Sequence, residues 1–167
     1  MKSYIKTTAG FVLSATMATA SYGATVNVGE LQGFTGPLES MIGAMSGGAT
    51  LAVTESNDAG NYLQGTIVVH QGDSVCIDAA VAIAEAERLI NDENVMAIMG
   101  PNCSGNTGAV ITNVLVPNGV VAISPSATSP ALSTLEDGGW FFRTSPSDPQ
   151  VDLVSNWDPS VISTFIV

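Results

Sequence analysis

A chain of 167 residues, 46% of them hydrophobic, is long enough for one packed domain and too apolar to be disordered. Fifteen Asp and Glu stand against four Lys and Arg, a formal charge of −11. Such a balance excludes the clustered basic surface that phosphate backbones require, so no nucleic-acid partner is expected, and a solubilising surface is the plain reading of the acids.

Lys2 and Lys6 precede an apolar run over Phe11–Ala18 and the small-residue pattern Ala18-Thr19-Ala20. These are the charged, apolar and cleavage regions of a secretory signal peptide, assigned to residues 1–23, and the run is too short to span a membrane. Cleavage after Ala20 or Gly23 removes both lysines and takes the formal charge from −11 to −13. An exported protein folds in an oxidising compartment, where the cysteine pair Cys76 and Cys103 reads as a disulfide. A metal site would need more ligands, and His70 is the one histidine. Closing that loop contributes roughly 3–4 kcal/mol on the chain-entropy account.

Thr25–Leu31 alternates in hydrophobicity and opens the domain as a strand. Gly33-Phe-Thr-Gly36 is a turn and Pro37 suits a first helical position, predicting a helix over about 37–54. Its glycines (Gly43, Gly47, Gly48) imply close packing on a sheet in preference to a break near Gly47. Asn57-Asp-Ala-Gly-Asn61 reads as a turn and Gly65–His70 as the second strand. From Asp78 to Asp92 the period is helical: Ala79, Ala82, Ile83, Ala86, Leu89 and Ile90 share one face, with Asp78, Glu85, Arg88 and Asp92 opposite. Val95–Met99 is the third strand, followed by a helix over about 106–115 that Pro117-Asn-Gly119 stops. Val120–Ser124 is the fourth strand and Trp140–Arg143 a short fifth. Strand–helix alternation with near-continuous apolar strands predicts an α/β fold, a doubly wound parallel sheet.

In such a sheet ligands sit beyond the carboxyl ends of the strands. Two loops there are dense in Ser, Thr, Gly and Pro: Gly100–Gly108 and Pro125–Pro130. These and neighbouring residues offer three enzymatic readings. Cys103 activated by His70 would make a small secreted cysteine hydrolase, but the elbow glycine two residues before the nucleophile is missing. Gly100–Gly108 lacks the Gly-Lys-Ser/Thr of a phosphate loop and the dinucleotide spacing. Glu85 with Glu87, and Glu136 with Asp137, read as solvated carboxylates. What remains is hydroxyl recognition of a small anion by Ser104, Thr107, Ser126 and Thr128, with helix capping by the same residues as the equal alternative.

Several motifs occur together and in order: Val28-Gly-Glu-Leu31, Gly33-Phe-Thr-Gly-Pro37, Cys76, Met99-Gly-Pro-Asn-Cys-Ser104, Ile123-Ser-Pro-Ser-Ala-Thr128-Ser-Pro130 and Phe142-Arg-Thr-Ser-Pro-Ser-Asp-Pro149. Over about residues 25–150 the chain resembles the periplasmic substrate-binding proteins of branched-chain amino-acid (Leu/Ile/Val) ABC transporters. The resemblance implies a type I periplasmic binding fold of which residues 24–150 form the N-terminal lobe, with no enzymatic activity and no cofactor. It implies carboxylate-binding hydroxyls at Ser104 and Thr128, an ammonium-binding carbonyl at Ser126 beside Ala127, a side-chain pocket at Gly36–Met41, and the Cys76–Cys103 disulfide. The partners implied are a small amino acid or related amide or acid and an inner-membrane ABC permease; the protein is expected to be a periplasmic monomer. Residues 151–167 diverge from the family pattern, with Pro159 and a final apolar run Val161–Val167, so an apparently truncated or frameshifted lobe, and an incomplete binder on its own, is the expectation.

Overall fold

The computed structural model of the chain describes residues 23–60 and 65–149. The expected signal segment, apart from Gly23, and the divergent tail lie outside the described residues. Five strands, β1 (Thr25–Gln32), β2 (Thr66–Asp73), β3 (Ala97–Met99), β4 (Val121–Ser124) and β5 (Phe141–Arg143), form one sheet in the order β2-β1-β3-β4-β5. Every pairing is parallel. The expected doubly wound architecture is therefore present, and its strand order reverses between β1 and β3, the place where such sheets open a crevice.

One face of the sheet is covered by α2 (Ala79–Asn91) and α3 (Ser104–Val110). Asp78 caps α2, its carboxylate accepting the Ala80 N–H at 2.8 Å. The face predicted from its periodicity is the one that packs: Ala82, Ala86 and Leu89 are fully buried, Ile83 and Ile90 partly, and only Ala79 stays exposed. Leu89 fits a notch cut by two glycines, since a methyl at Gly29 would lie 3.2 Å and one at Gly72 3.1 Å from its Cδ1. Leu31, Ile98, Ile111 and Leu115 complete the centre of this layer, each burying roughly 1.5–3 kcal/mol of apolar transfer free energy.

The other face carries α1 (Glu39–Asp58) over a shallow apolar trough lined by Val28, Val69, Met99, Val121 and Ile123. Two expectations change here. The glycines of α1 do not mediate close packing, because a Cβ at Gly43, Gly47 or Gly48 would meet nothing within 4 Å; the helix nonetheless runs through them unbroken, burying only Ile42 fully. It also runs a turn further than predicted, since Asn57 reaches β2 from within its last turn, donating to the Ile67 carbonyl at 2.9 Å and accepting the Ile67 N–H at 2.8 Å.

Other boundaries shift for similar reasons. β3 starts at Ala97, because the Val95 N–H is spent on the Leu89 carbonyl at 3.1 Å, closing α2. The helix after β3 begins at Ser104 and continues through a π-helical stretch, Ile111–Leu115, into a last turn, Val116–Asn118. That wider stretch directly precedes Pro117, whose ring cannot sit under the Asn113 carbonyl of a regular α-turn. Gly119, at φ 62°, then ends the helix in the left-handed region.

At the carboxyl edge the loops are tied to one another. Asp73 accepts the Thr35 N–H at 3.3 Å, the Thr35 hydroxyl at 2.6 Å and the Val75 N–H at 3.0 Å, joining the loop after β1 to that after β2. Burial would raise its carboxyl pKa, but these hydrogen bonds from Thr35 and Val75 outweigh it and hold it below the usual carboxylate value. Gly100, at φ 118°, lets β3 turn away beside β1; a Cβ there would lie 1.9 Å from the Leu31 carbonyl oxygen.

Two tests follow from these contacts. Gly100→Ala should cost roughly 3–5 kcal/mol or prevent folding, read by urea denaturation against Gly105→Ala, whose added methyl meets nothing within 4 Å. Asp73→Asn should cost about 0.5–1.5 kcal/mol near neutral pH. Because the folded carboxyl is the stronger acid, that difference is present above the ordinary carboxylate pKa and shrinks as pH falls below about 4. A gap between the two proteins that persists at pH 2 would refute this account of Asp73.

Candidate functional site

The loop after β4 turns on serine hydroxyls. Ser124, the buried last residue of β4, donates to the Pro101 carbonyl at 2.5 Å and accepts the N–H groups of Ser126 at 3.4 Å and Ala127 at 3.0 Å. Ser104, at the first position of α3, accepts the next two, from Thr128 and Ser129, each at 3.1 Å. Four consecutive backbone donors thus converge on two hydroxyl oxygens. Neither lone pair of Ser104 Oγ is left, so its own proton has to point elsewhere.

On the other side of the same loop the carbonyls are filled from β5 and the segment after it. Arg143 donates to the Ala127 carbonyl at 3.3 Å and the Ser129 carbonyl at 2.9 Å, and also to the Ser133 hydroxyl. Ser145 donates to the Ala127 carbonyl at 3.3 Å, and the Asp148 N–H to the Thr128 carbonyl at 3.0 Å. The Thr128 hydroxyl, the carbonyls of Pro125 and Ser126, and the outgoing proton of Ser104 have no hydrogen-bond partner among the described residues.

Of the residues singled out from sequence, Ser104, Ser126, Ala127 and Thr128 come together between the loops after β3 and β4. Ala127 is fully buried, while Ser104, Ser126 and Thr128 are half-buried. Ser104 caps the neighbouring loop and not its own helix, whereas Thr107 turns inward to the Pro101 and Cys103 carbonyls. Capping of a helical turn is seen instead at Ser129, which accepts the Ala131 N–H at 3.3 Å. Met41 lies in the first turn of α1, 56% exposed, and no hydrogen bond among the described residues joins the Gly36–Met41 segment to the serine cluster.

Asn102 was not anticipated. It is 4% exposed, its Oδ1 accepts the Gly33 N–H at 2.9 Å, and its carbonyl accepts the Ser126 hydroxyl at 2.9 Å, so the loops after β1, β3 and β4 meet on one residue. Asn102 and Arg143 each stand in the sequence only as members of longer motifs, with no role of their own. The available signal for both was position, because in a parallel sheet every strand's last residue and the loop after it arrive at the same edge.

The cysteine hydrolase reading is overturned. Cys76 and Cys103 form a disulfide with Cα atoms 5.5 Å apart, inside the expected range, and no free cysteine remains among the described residues. His70 lies within β2, not at its end, and contacts Glu93 at 3.0 Å and Asn27 at 3.2 Å. Among the described residues no cluster of His, Cys, Asp and Glu could hold a metal ion. Glu85, expected to be solvated, pairs with Arg88 at 3.0 Å, and Arg88 also reaches Glu93 at 3.1 Å.

Comparison with known proteins identifies the family. The profile of the family described as "Periplasmic binding protein" matches residues 25–155. The substrate-binding protein BasB of a chemotactic signal transduction system in Halobacterium salinarum is 34% identical over 134 residues, covering 77% of this chain and 32% of BasB. The Leu/Ile/Val-binding protein BraC3 of Rhizobium johnstonii is 29% identical over 126 residues, covering 75% of this chain and 33% of BraC3. Among solved structures, the branched-chain amino acid transporter substrate-binding protein LivJ of Streptococcus pneumoniae, in complex with isoleucine, superposes with a TM-score of 0.69 at 31% identity, covering 79% of this chain and 38% of LivJ. A solute-binding protein of an ABC transporter from R. palustris, in complex with 4-hydroxybenzoate, superposes with a TM-score of 0.63 at 25% identity, covering 74% of this chain and 32% of that one. The chain spans about a third of the length of the curated relatives it matches. With its family profile covering most of the residues and its sheet order and disulfide in place, the chain belongs to the periplasmic binding protein family and has the type I fold of its branched-chain amino-acid-binding members.

Proposed function

We propose that this chain is the N-terminal lobe of an exported, non-enzymatic solute-binding protein that captures a small α-amino acid, or a related small acid or amide, for an ABC importer in the inner membrane. The observation that carries the reading is the set of unpartnered groups in the loop cluster. Two hydroxyl donors, Ser104 and Thr128, and one carbonyl acceptor, Ser126, are the complement of a carboxylate and an ammonium on neighbouring atoms. The N–H groups of Ser126 to Ser129 and the carbonyls of Ala127 to Ser129 are bonded internally, which would hold these groups in place before a ligand arrives. The relatives supply the chemical class: isoleucine in one solved structure and 4-hydroxybenzoate in another share a carboxylate and little else. Met41 and the Gly36–Met41 segment would face the ligand's side chain, a role that awaits the opposing lobe, and binding by this chain alone is expected to be weak.

The test is a titration of the isotope-labelled full chain, followed by NMR, with L-leucine, L-alanine, acetamide and 4-hydroxybenzoate. Amide shifts should move at Ser104 and at Ser126 to Ser129 for at least one amino acid. Thr128→Val removes a hydroxyl with no protein partner among the described residues, so it should leave thermal stability unchanged and weaken binding by about 1–3 kcal/mol. Ser104→Ala should lower both stability and affinity, because two backbone N–H groups lose their acceptor. A Thr128→Val protein that binds like wild type would remove that hydroxyl from the site, and no shift in this loop with any probe would refute the reading as a whole.

A further inference from the structure

The described part of the chain contains two arginines, and they are used differently. Arg88 is neutralised by Glu85 and Glu93. Arg143 has no carboxylate within ion-pair distance among the described residues; its hydrogen bonds go to the carbonyls of Ala127 and Ser129 and the hydroxyl of Ser133, all uncharged. In a protein of net charge −11, a half-buried guanidinium surrounded by neutral acceptors is a retained positive charge in need of an explanation.

Peptide geometry supplies one. A trans peptide directs its C=O and N–H to opposite sides. Arg143 holds the Ala127 carbonyl, so the other end of that peptide, the Thr128 N–H, faces the Ser104 hydroxyl at 3.1 Å. The next peptide is held the same way, its Thr128 carbonyl on the Asp148 N–H at 3.0 Å and its Ser129 N–H on Ser104 at 3.1 Å. A guanidinium at the carbonyl end polarises the unit so that its N–H end is more positive, and hydrogen bonds in series strengthen one another. Those N–H groups feed Ser104 Oγ and sharpen the hydrogen-bond donation of its outgoing proton.

Resting on the amino-acid reading above, we propose that Arg143 is a positioning residue that makes this site select an anionic ligand group, a carboxylate over a neutral carboxamide, by charging the loop from behind without touching the ligand. The residue sets two things at once: the orientation of the Ala127–Thr128 peptide and the sign of the potential in front of it. Arg143→Gln keeps donors for the loop carbonyls and removes the charge, while Arg143→Lys keeps the charge and loses the forked geometry.

The experiment compares L-leucine with L-leucinamide, which keeps the ammonium and side chain and replaces the carboxylate by a neutral amide, using NMR titration of the full chain. Wild type should prefer leucine. In Arg143→Gln the leucine-to-leucinamide affinity ratio should fall at least fivefold, and Arg143→Lys should restore most of it; a role confined to holding the loop would weaken both ligands alike and leave the ratio unchanged, which overturns the proposal. In case Arg143→Gln does not fold, the Arg143 Nε–H resonance of wild type gives a second readout. It should shift with leucine and not with leucinamide, and a resonance indifferent to leucine also overturns the proposal. Wild type that binds neither probe refutes the amino-acid reading and this inference together, whereas wild type that binds both with a ratio insensitive to Arg143 refutes this inference alone.

Discussion

Everything at the carboxyl edge depends on one hydroxyl oxygen accepting two backbone N–H groups from a neighbouring loop. Ser104 begins the helix after β3, and Thr128 and Ser129 belong to the loop after β4; the bonds between them, 3.1 Å each, convert two adjacent loops into one rigid shelf. Each such bond has a modest net value of about 0.5–1.5 kcal/mol. Their larger effect is geometric: once the N–H ends of two successive peptides are fixed on Ser104, their carbonyls have to face Arg143, Ser145 and Asp148 on the far side. The shelf is then pinned sideways by Asn102, which meets both Gly33 and Ser126, and by the disulfide that ties the loop after β2 to that after β3.

Helix capping and ligand recognition could not be separated from sequence, and the structure explains why the choice was a false one for Ser104. A hydroxyl has one proton and two lone pairs. Ser104 uses the lone pairs on the neighbouring loop and keeps the proton, so satisfying the backbone and donating outward are compatible in a single side chain. Thr107 makes the other choice, spending its proton inside on the Pro101 and Cys103 carbonyls. Residue type looks alike for the two; what differs is the partner each meets, the N–H groups of the loop after β4 for Ser104 and the carbonyls of the preceding loop for Thr107.

Much of the fold was legible because it rests on periodicity. The buried face of α2, the five strands, the parallel sheet and the cysteine pairing all follow from spacing and compartment. The features that were not legible each depend on a contact distant in sequence. The reach of α1 through Asn57 depends on Ile67, and the late start of β3 depends on Leu89 capturing the Val95 N–H. The glycines of α1 misled for a related reason: glycine signals close packing only where something approaches it, as Leu89 approaches Gly29 and Gly72, and nothing approaches Gly43, Gly47 or Gly48. At the site, the Ser and Thr clusters announced themselves by composition, whereas Asn102 and Arg143 act through backbone groups whose direction no local pattern encodes.

The large excess of acids over bases shapes what a solute experiences before contact. At distances beyond the screening length of about 8–10 Å a molecule meets little net field, and closer in it meets a protein carrying a large excess of negative charge. The approach of a multiply charged anion is disfavoured at that stage. A solute with no net charge suffers no such repulsion. A strongly acidic protein thus discriminates among solutes by net charge before any hydrogen bond is made.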